Sequence, residues 1–171
     1  MTVLVAYASK HGSTEGIAQA IADRLRELGE PVEVGSVDEL HEVGGFRAVV
    51  LGSAVYAGSW MKEAVDFVHR SAEALAERPV WLFSSGPLGT DVEDEEEQPR
   101  QLEELGGIVG PIEHRMFFGA LDRSKLGFGE RMMVKAVKAP EGDFRDWDAI
   151  RGWADAIARE LEADPSGGPR A

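Results

Sequence analysis

The sequence predicts an α/β domain in which a doubly wound, five-stranded parallel sheet is covered by helices on both faces. Short β-prone runs alternate with helical patterns along the chain, without an internal repeat. The first run, Val3–Ala8, is apolar up to a small polar turn, as is typical of a central strand buried on both faces. Small polar and glycine residues follow three of the runs, so we expect these turns to meet at one edge of the sheet.

The other elements follow in chain order. From Ile17, apolar residues recur every three or four positions and predict a helix that ends at Gly29. The same periodicity predicts an amphipathic helix over 60–75 and a last helix over 147–161. We expect one domain over 1–164, with an insertion at 122–142 between the last strand and the last helix and a flexible tail at 165–171. The remaining predicted strands are 31–37, 46–53, 79–85 and 112–120.

Composition and charge exclude several classes of function. The chain has 171 residues and no cysteine, so disulfides, a thiol nucleophile and thiolate metal sites are unavailable. Its four histidines show no chelating spacing, and we expect no metal. A net charge of −13 argues against nucleic acid as a partner. That charge either keeps the protein in solution or steers it toward a basic redox partner. Without a signal peptide or a long apolar stretch, a cytoplasmic location is expected.

The loop after the first strand has the features of a phosphate site. Ser9, Ser13 and Thr14 offer hydroxyls, and Gly12 lets the backbone approach a ligand closely. A bound anion would also meet the free N–H groups at the start of the following helix. The alternative is an ordinary turn in which Ser13 or Thr14 caps that helix. The candidate phosphate-binding residues are Ser9, Lys10, His11, Gly12, Ser13 and Thr14.

This loop resembles the phosphate loop of the flavodoxins, with Ser9, Gly12 and Thr14 in matching places and His11 where threonine is usual. The resemblance implies the flavodoxin strand order 2-1-3-4-5 and FMN as the cofactor. A deazaflavin remains an alternative cofactor. A domain that binds no flavin is an alternative to both.

Two further loops would then surround the flavin ring. In the second, Tyr56 and Trp60 lie on either side of Ala57-Gly58. An aromatic side chain can stack on a ring, and the Gly58 carbonyl can turn toward ring atom N5. Packing of Tyr56 or Trp60 beneath the next helix is the alternative. The third loop lacks an aromatic residue, so we expect one ring face to be open, as suits an enzyme. The candidates are Ser53, Ala54, Val55, Tyr56, Ala57, Gly58 and Trp60, then Ser84, Ser85, Gly86, Pro87, Leu88 and Gly89.

Two charged segments stand out in the second half of the chain. Six acids occupy the seven positions 91–97, as expected of a solvated run. In contrast, 122–138 has five basic and two acidic side chains. This cationic, amphipathic segment could attract a membrane surface or an acidic substrate, or could pack on its own domain. The basic residues are Arg123, Lys125, Arg131, Lys135 and Lys138.

The layout is similar to that of the flavodoxin-type, menaquinone-dependent protoporphyrinogen IX dehydrogenases. The similarity rests on 7–18, the segment Gly119-Ala120-Leu121, the basic stretch 131–135, and Asp146-Trp147 at the start of the last helix. It implies a flavin oxidoreductase of heme biosynthesis that passes electrons through FMN to a quinone, with peripheral membrane contact through 122–138. No side chain stands out as a catalytic acid or base. The alternative is a non-enzymatic electron carrier that docks basic redox partners.

Overall fold

We analysed a computed structural model that describes residues 2–10, 12–56, 58–86, 99–118, 120–121, 142–143 and 145–164. Five parallel strands form the main sheet in the order β2-β1-β3-β5-β6, which confirms the predicted order of the five strands along the sheet. β4 pairs antiparallel with the end of β3. A separate two-stranded ladder joins β7 to β8. The strands are β1 Val3–Ala8, β2 Val32–Ser36, β3 Ala48–Tyr56, β4 Ser59–Trp60, β5 Val80–Ser85, β6 Glu113–Phe117, β7 Ala120–Leu121 and β8 Gly142–Asp143.

Helices cover both faces of the sheet, as predicted. The helices are α1 Ser13–Glu27, α2 Lys62–Arg70, α3 Ala72–Ala76, α4 Leu102–Val109 and α5 Trp147–Ala163. One apolar cluster packs α1 and α5 against one face, around Trp81, Phe83 and Trp153. The other packs α2, α3 and α4 against the opposite face. The central strands are buried on both faces, which explains why their sequences are almost continuously apolar. Among the described residues, no helix is long and apolar enough to cross a membrane.

The structure corrects three of the predicted element bounds. β3 continues past Ser53 to Tyr56 and turns back into β4, so the predicted second loop is largely a hairpin. The helix predicted over 60–75 begins at Lys62 and is divided into α2 and α3 at Ser71. The strand predicted over 112–120 ends at Phe117. Helix α4 was missed because Gly106 and Gly107 weaken its helical pattern.

The predicted insertion has a defined base. Ala120 pairs with Asp143, and Leu121 pairs with Gly142, so the two ends of this segment run side by side. Residues 122–141 and the predicted tail at 165–171 lie outside the described residues. The prediction of a flexible tail therefore stays a prediction.

Candidate functional site

The strand register brings three of the predicted loops to the same edge of the sheet. Ala8 at the end of β1 pairs with Ser53 of β3, and Ser53 pairs with Ser84 of β5. Since β1, β3 and β5 are parallel neighbours, the segments that follow them leave at one carboxyl edge. β1 and β3 also mark the switch point, because β2 lies on one side of β1 and β5 on the far side of β3. Ligands of open α/β sheets bind at such a switch point.

The first loop leads directly into α1 and leaves the helix N-terminus without a side-chain cap. The N-cap is Gly12, which has a left-handed backbone with φ +88°. The Ser9 hydroxyl oxygen accepts the Gly12 N–H at 3.1 Å, which fixes the loop from within. α1 begins at Ser13, so neither Ser13 nor Thr14 is the N-cap that the alternative interpretation required. The N–H groups of the first turn and the positive dipole end of α1 suit a bound anion.

Thr14 supplies the observation that points most directly to a ligand. Its side chain is fully buried in the first turn of α1, and its hydroxyl has no hydrogen-bond partner among the residues that the structure describes. A buried hydroxyl without a partner is costly, so such groups are usually satisfied by water or a ligand. A phosphate oxygen at the start of α1 would supply that partner. Ser9, Gly12 and Thr14 therefore fit the phosphate group that the sequence motif implies.

Buried polar side chains support the second loop. Ser53 is fully buried, and its hydroxyl accepts the Met61 N–H at 3.0 Å and donates to the Ala54 carbonyl at 2.8 Å. Trp60 is 4% exposed, and its indole N–H donates to the Ser84 hydroxyl oxygen at 2.7 Å. Ser53, Trp60 and Ser84 thus lie beneath the site and support it. Because Trp60 is buried, little of its ring surface is available to stack on a flavin. This agrees with the alternative in which Trp60 packs beneath the next helix.

His114, which the sequence did not single out, extends this buried polar chain to β6. Its Nε2 lies 2.7 Å from the Ser84 hydroxyl oxygen. The Ser84 hydroxyl donates to Nε2 when the ring proton is on Nδ1, and it accepts from Nε2 when the proton is there. Burial lowers the pKa of His114 to about 4, although the Glu113 carboxylate acts in the opposite direction. His114 is therefore neutral near neutral pH.

The third loop begins with a tightly held turn. Ser85 is 4% exposed, and the Gly86 N–H donates to the Phe117 carbonyl at 3.0 Å. Gly86 has φ +109°, and a Cβ there would lie 3.6 Å from the Val55 carbonyl oxygen. The backbone of β5 thus passes close to the end of β3. Gly86 is required here because an L side chain rarely adopts this φ.

Arg145 is a second residue that sequence reasoning missed. Its guanidinium donates to both Asp143 carboxylate oxygens, from Nε at 2.8 Å and from Nη2 at 2.6 Å. The pKa of Asp143 is lowered, and its hydrogen bonds from the Arg145 side chain are the largest cause. The same guanidinium lies 4.6 Å from the ring centre of Trp147 and 3.4 Å from the Ser13 carbonyl oxygen. It therefore connects the base of the insertion to the N-terminal turn of α1. No periodicity or motif in the sequence indicates this contact.

Several candidate residues cannot be placed in the site. The side chain of Tyr56 lies outside what the structure describes, as do both charged segments, 91–97 and 122–138. No group of three or more potential metal ligands lies together in the described part of the chain. The other candidates outside the described residues are His11, Ala57, Pro87, Leu88, Gly89, Arg123, Lys125, Arg131, Lys135 and Lys138.

Comparison with protein families agrees with this geometry. A family model described as a flavodoxin domain matches residues 4–148, from β1 to the start of α5. The chain belongs to the flavodoxin domain family. Membership implies a flavin at the carboxyl edge and a role in oxidoreduction or electron transfer. The matched range includes all three loops of the candidate site.

The individual relatives are distant. Protoporphyrinogen IX dehydrogenase [quinone] of Escherichia coli strain K12 is 23% identical over 172 residues, covering 92% of this chain and 95% of that protein. An archaeal flavodoxin superimposes with a TM-score of 0.63 at 15% identity, covering 95% of this chain and 99% of that one. Oxidised flavodoxin 1 of Bacillus cereus gives a TM-score of 0.63 at 14% identity, covering 94% and 99%. At these identities the solved structures establish the fold alone.

Proposed function

We propose that this flavodoxin domain binds FMN and is an oxidoreductase that transfers electrons from protoporphyrinogen IX to a quinone. The observation that carries the proposal is the buried, unpartnered Thr14 hydroxyl at an uncapped helix N-terminus, beside two further loops at the switch point. The E. coli relative supports the choice of substrate and acceptor.

The chain's own residues would bind and orient the cofactor. Thr14 and the first N–H groups of α1 would hold the phosphate, with Gly12 allowing its close approach. The turn at Gly58 and the segment at Gly86 would flank the ring, and the buried Trp60–Ser84 hydrogen bond would keep those two segments in register. When bound, the flavin supplies the redox chemistry, and the protein supplies binding, orientation and electrostatics.

The substrate is tested by direct turnover. We expect the FMN-loaded protein to oxidise protoporphyrinogen IX under anaerobic conditions with menadione as the acceptor, monitored by porphyrin fluorescence. Protein without FMN is the control for spontaneous oxidation. A rate no greater than that control would refute the proposed substrate while leaving the flavin site untouched.

A non-enzymatic electron carrier is the second candidate, and the net charge of −13 is the observation that favours it. An acidic surface attracts basic redox partners through long-range electrostatics. A carrier requires well-separated one-electron potentials, whereas hydride transfer does not. Anaerobic reduction of the FMN-loaded protein with dithionite distinguishes the two: accumulation of one-electron-reduced flavin supports the carrier, and direct bleaching supports the dehydrogenase.

We also propose that the protein is cytoplasmic and contacts the membrane surface through 122–138. This contact would bring it to a quinone, which is a lipid-soluble electron acceptor. Co-sedimentation with vesicles that contain anionic lipid tests this contact. Binding that weakens with salt would support it, and equal recovery in the supernatant with and without vesicles would refute it.

A further inference from the structure

The turn between β3 and β4 is fixed from outside by a segment remote in sequence. Val55 pairs with Trp60 and Tyr56 with Ser59, so the hairpin closes tightly around Gly58, whose φ is +75°. The segment that holds it, 99–101, immediately precedes α4.

Two hydrogen bonds join the hairpin to this segment: the segment donates one of them and accepts the other. The Arg100 N–H donates to the Gly58 carbonyl at 3.0 Å. The Trp60 N–H donates to the Gln101 side-chain oxygen at 3.1 Å. On the far side of the turn, the Met61 N–H donates to the Ser53 hydroxyl. The Gly58 carbonyl and the N–H groups of Trp60 and Met61 are therefore already paired.

The segment is itself well anchored. The Leu105 N–H donates to the Gln101 carbonyl at 2.9 Å, which ties the segment to the first turn of α4. Leu105 and Val109 of α4 are buried in the cluster that also contains Trp60. Displacing 99–101 would disturb this packing, so the hairpin turn has little freedom to rearrange.

We propose that Arg100, through its backbone N–H, and Gln101 are positioning residues that hold the Gly58 carbonyl away from flavin N5 and so favour two-electron over one-electron reduction. Reduction of a flavin by one electron and one proton places a hydrogen-bond donor at N5, and full reduction does the same, so a carbonyl that turns toward N5 stabilises both reduced forms. Two one-electron-reduced flavins form from one oxidised and one fully reduced flavin, so equal stabilisation of both reduced forms still favours the one-electron form. Here the carbonyl is engaged by Arg100 and would have to break that bond first. This inference rests on the proposed function and specifies how the same site selects its redox mode.

The selected mode conserves atoms and electrons in the proposed reaction. In each turnover a C–H bond of the porphyrinogen would break with loss of a hydride, the substrate would lose one further proton to solvent, and the bound flavin would supply the redox chemistry that passes the two electrons on. The quinone then accepts two electrons and two protons to become a quinol. The protein does not need to stabilise a one-electron species during oxidation of the porphyrinogen or during reduction of the quinone.

A matched pair of variants at Arg100 tests the proposal. Arg100→Pro removes the N–H and Arg100→Ala keeps it, while both remove the guanidinium, so any effect of charge is shared. The FMN-loaded variants are reduced anaerobically, and the equilibrium constant for forming one-electron-reduced flavin from the oxidised and fully reduced forms is measured from visible spectra. We expect that constant to be roughly 2- to 10-fold higher in Arg100→Pro than in Arg100→Ala. Equal constants in the two variants would overturn the proposal.

A second pair serves if Arg100→Pro does not fold. Gln101→Leu removes the acceptor for the Trp60 N–H, and Gln101→Glu retains a side-chain oxygen there. The constant should rise in Gln101→Leu and stay near the wild-type value in Gln101→Glu; no rise in Gln101→Leu would count against the proposal. Failure of the wild-type protein to bind FMN would instead refute the flavin function on which the inference rests.

Discussion

The hydroxyl of Thr14 is the residue-scale feature on which the site depends. It is fully buried at the start of α1 and has no hydrogen-bond partner among the described residues, so a bound phosphate would satisfy it. Ligand sites often contain groups of this kind, because their polar atoms are arranged for the ligand and not for one another.

Thr14→Val should therefore separate binding from stability. The valine side chain is close to threonine in shape but has no hydroxyl, so we expect FMN affinity to fall roughly 10-fold or more. The free energy of unfolding of the ligand-free protein should stay the same or rise by up to about 1 kcal/mol, because an unpaired buried polar group is removed. Fluorescence titration and urea unfolding measure the two quantities.

Thr14→Ser is the matched control, since it keeps the hydroxyl and should keep most of the affinity. Wild-type affinity in Thr14→Val would show that the hydroxyl does not contact the ligand.

His114 should make the protein less stable in mild acid. Its folded-state pKa is about 4, against 6.5 for the free side chain, so between these values the unfolded chain binds a proton that the folded chain excludes. Its contribution to stability is complete above the unfolded pKa and is lost as the pH falls. Between about pH 7 and about pH 5 the loss should be up to about 2 kcal/mol.

Urea unfolding at both pH values checks this, with His114→Gln as the comparison. The variant lacks the titrating group, so its stability should change less over the same range. An equal loss in both proteins would mean that other groups, such as paired carboxylates, account for the pH dependence.

At the scale of elements, the main strands followed from the sequence because buried parallel strands have a simple apolar pattern. Their order was implied by the resemblance to the flavodoxins and not by that pattern. The hairpin at Gly58 did not, since Val55 and Tyr56 extend β3 only because Ser59 and Trp60 pair with them. The support given by Gln101, His114 and Arg145 is also long-range. Each is a single polar residue whose partner lies far away in sequence, and no local periodicity indicates such contacts.

Helix α1 and the base of the insertion should be energetically coupled through Arg145. A Cβ at Gly16 would lie 2.5 Å from Arg145 Nη1, so Gly16→Ala must displace this guanidinium. In an Arg145→Ala background the same change should stabilise the protein by about 1 kcal/mol, the usual advantage of alanine over glycine within a helix. In the wild-type background the gain should be smaller.

A double-mutant cycle by urea unfolding measures this coupling. Identical effects of Gly16→Ala in the two backgrounds would show that position 16 and the Arg145 guanidinium are not energetically coupled.

For the whole molecule, the fold determines where the ligand binds, and the charge bears on what approaches it. Parallel order places the loop before α1, the Gly58 hairpin and the Gly86 turn at one edge, while the two apolar clusters hold the helices on either face. A net charge of −13 affects association with partners but not this architecture. The sequence could therefore predict the fold and the phosphate loop, whereas the substrate depends on residues around the ring that follow no such pattern.

The central claim is that this edge binds a flavin through its phosphate, and the most direct test compares FMN with riboflavin, which lacks the phosphate. Isothermal titration of the ligand-free protein with each compound gives stoichiometry and affinity. We expect one FMN per chain and riboflavin binding roughly 100-fold weaker, as the loss of charge-assisted hydrogen bonds at α1 predicts. Equal affinity for the two, or no binding of either, would contradict the account.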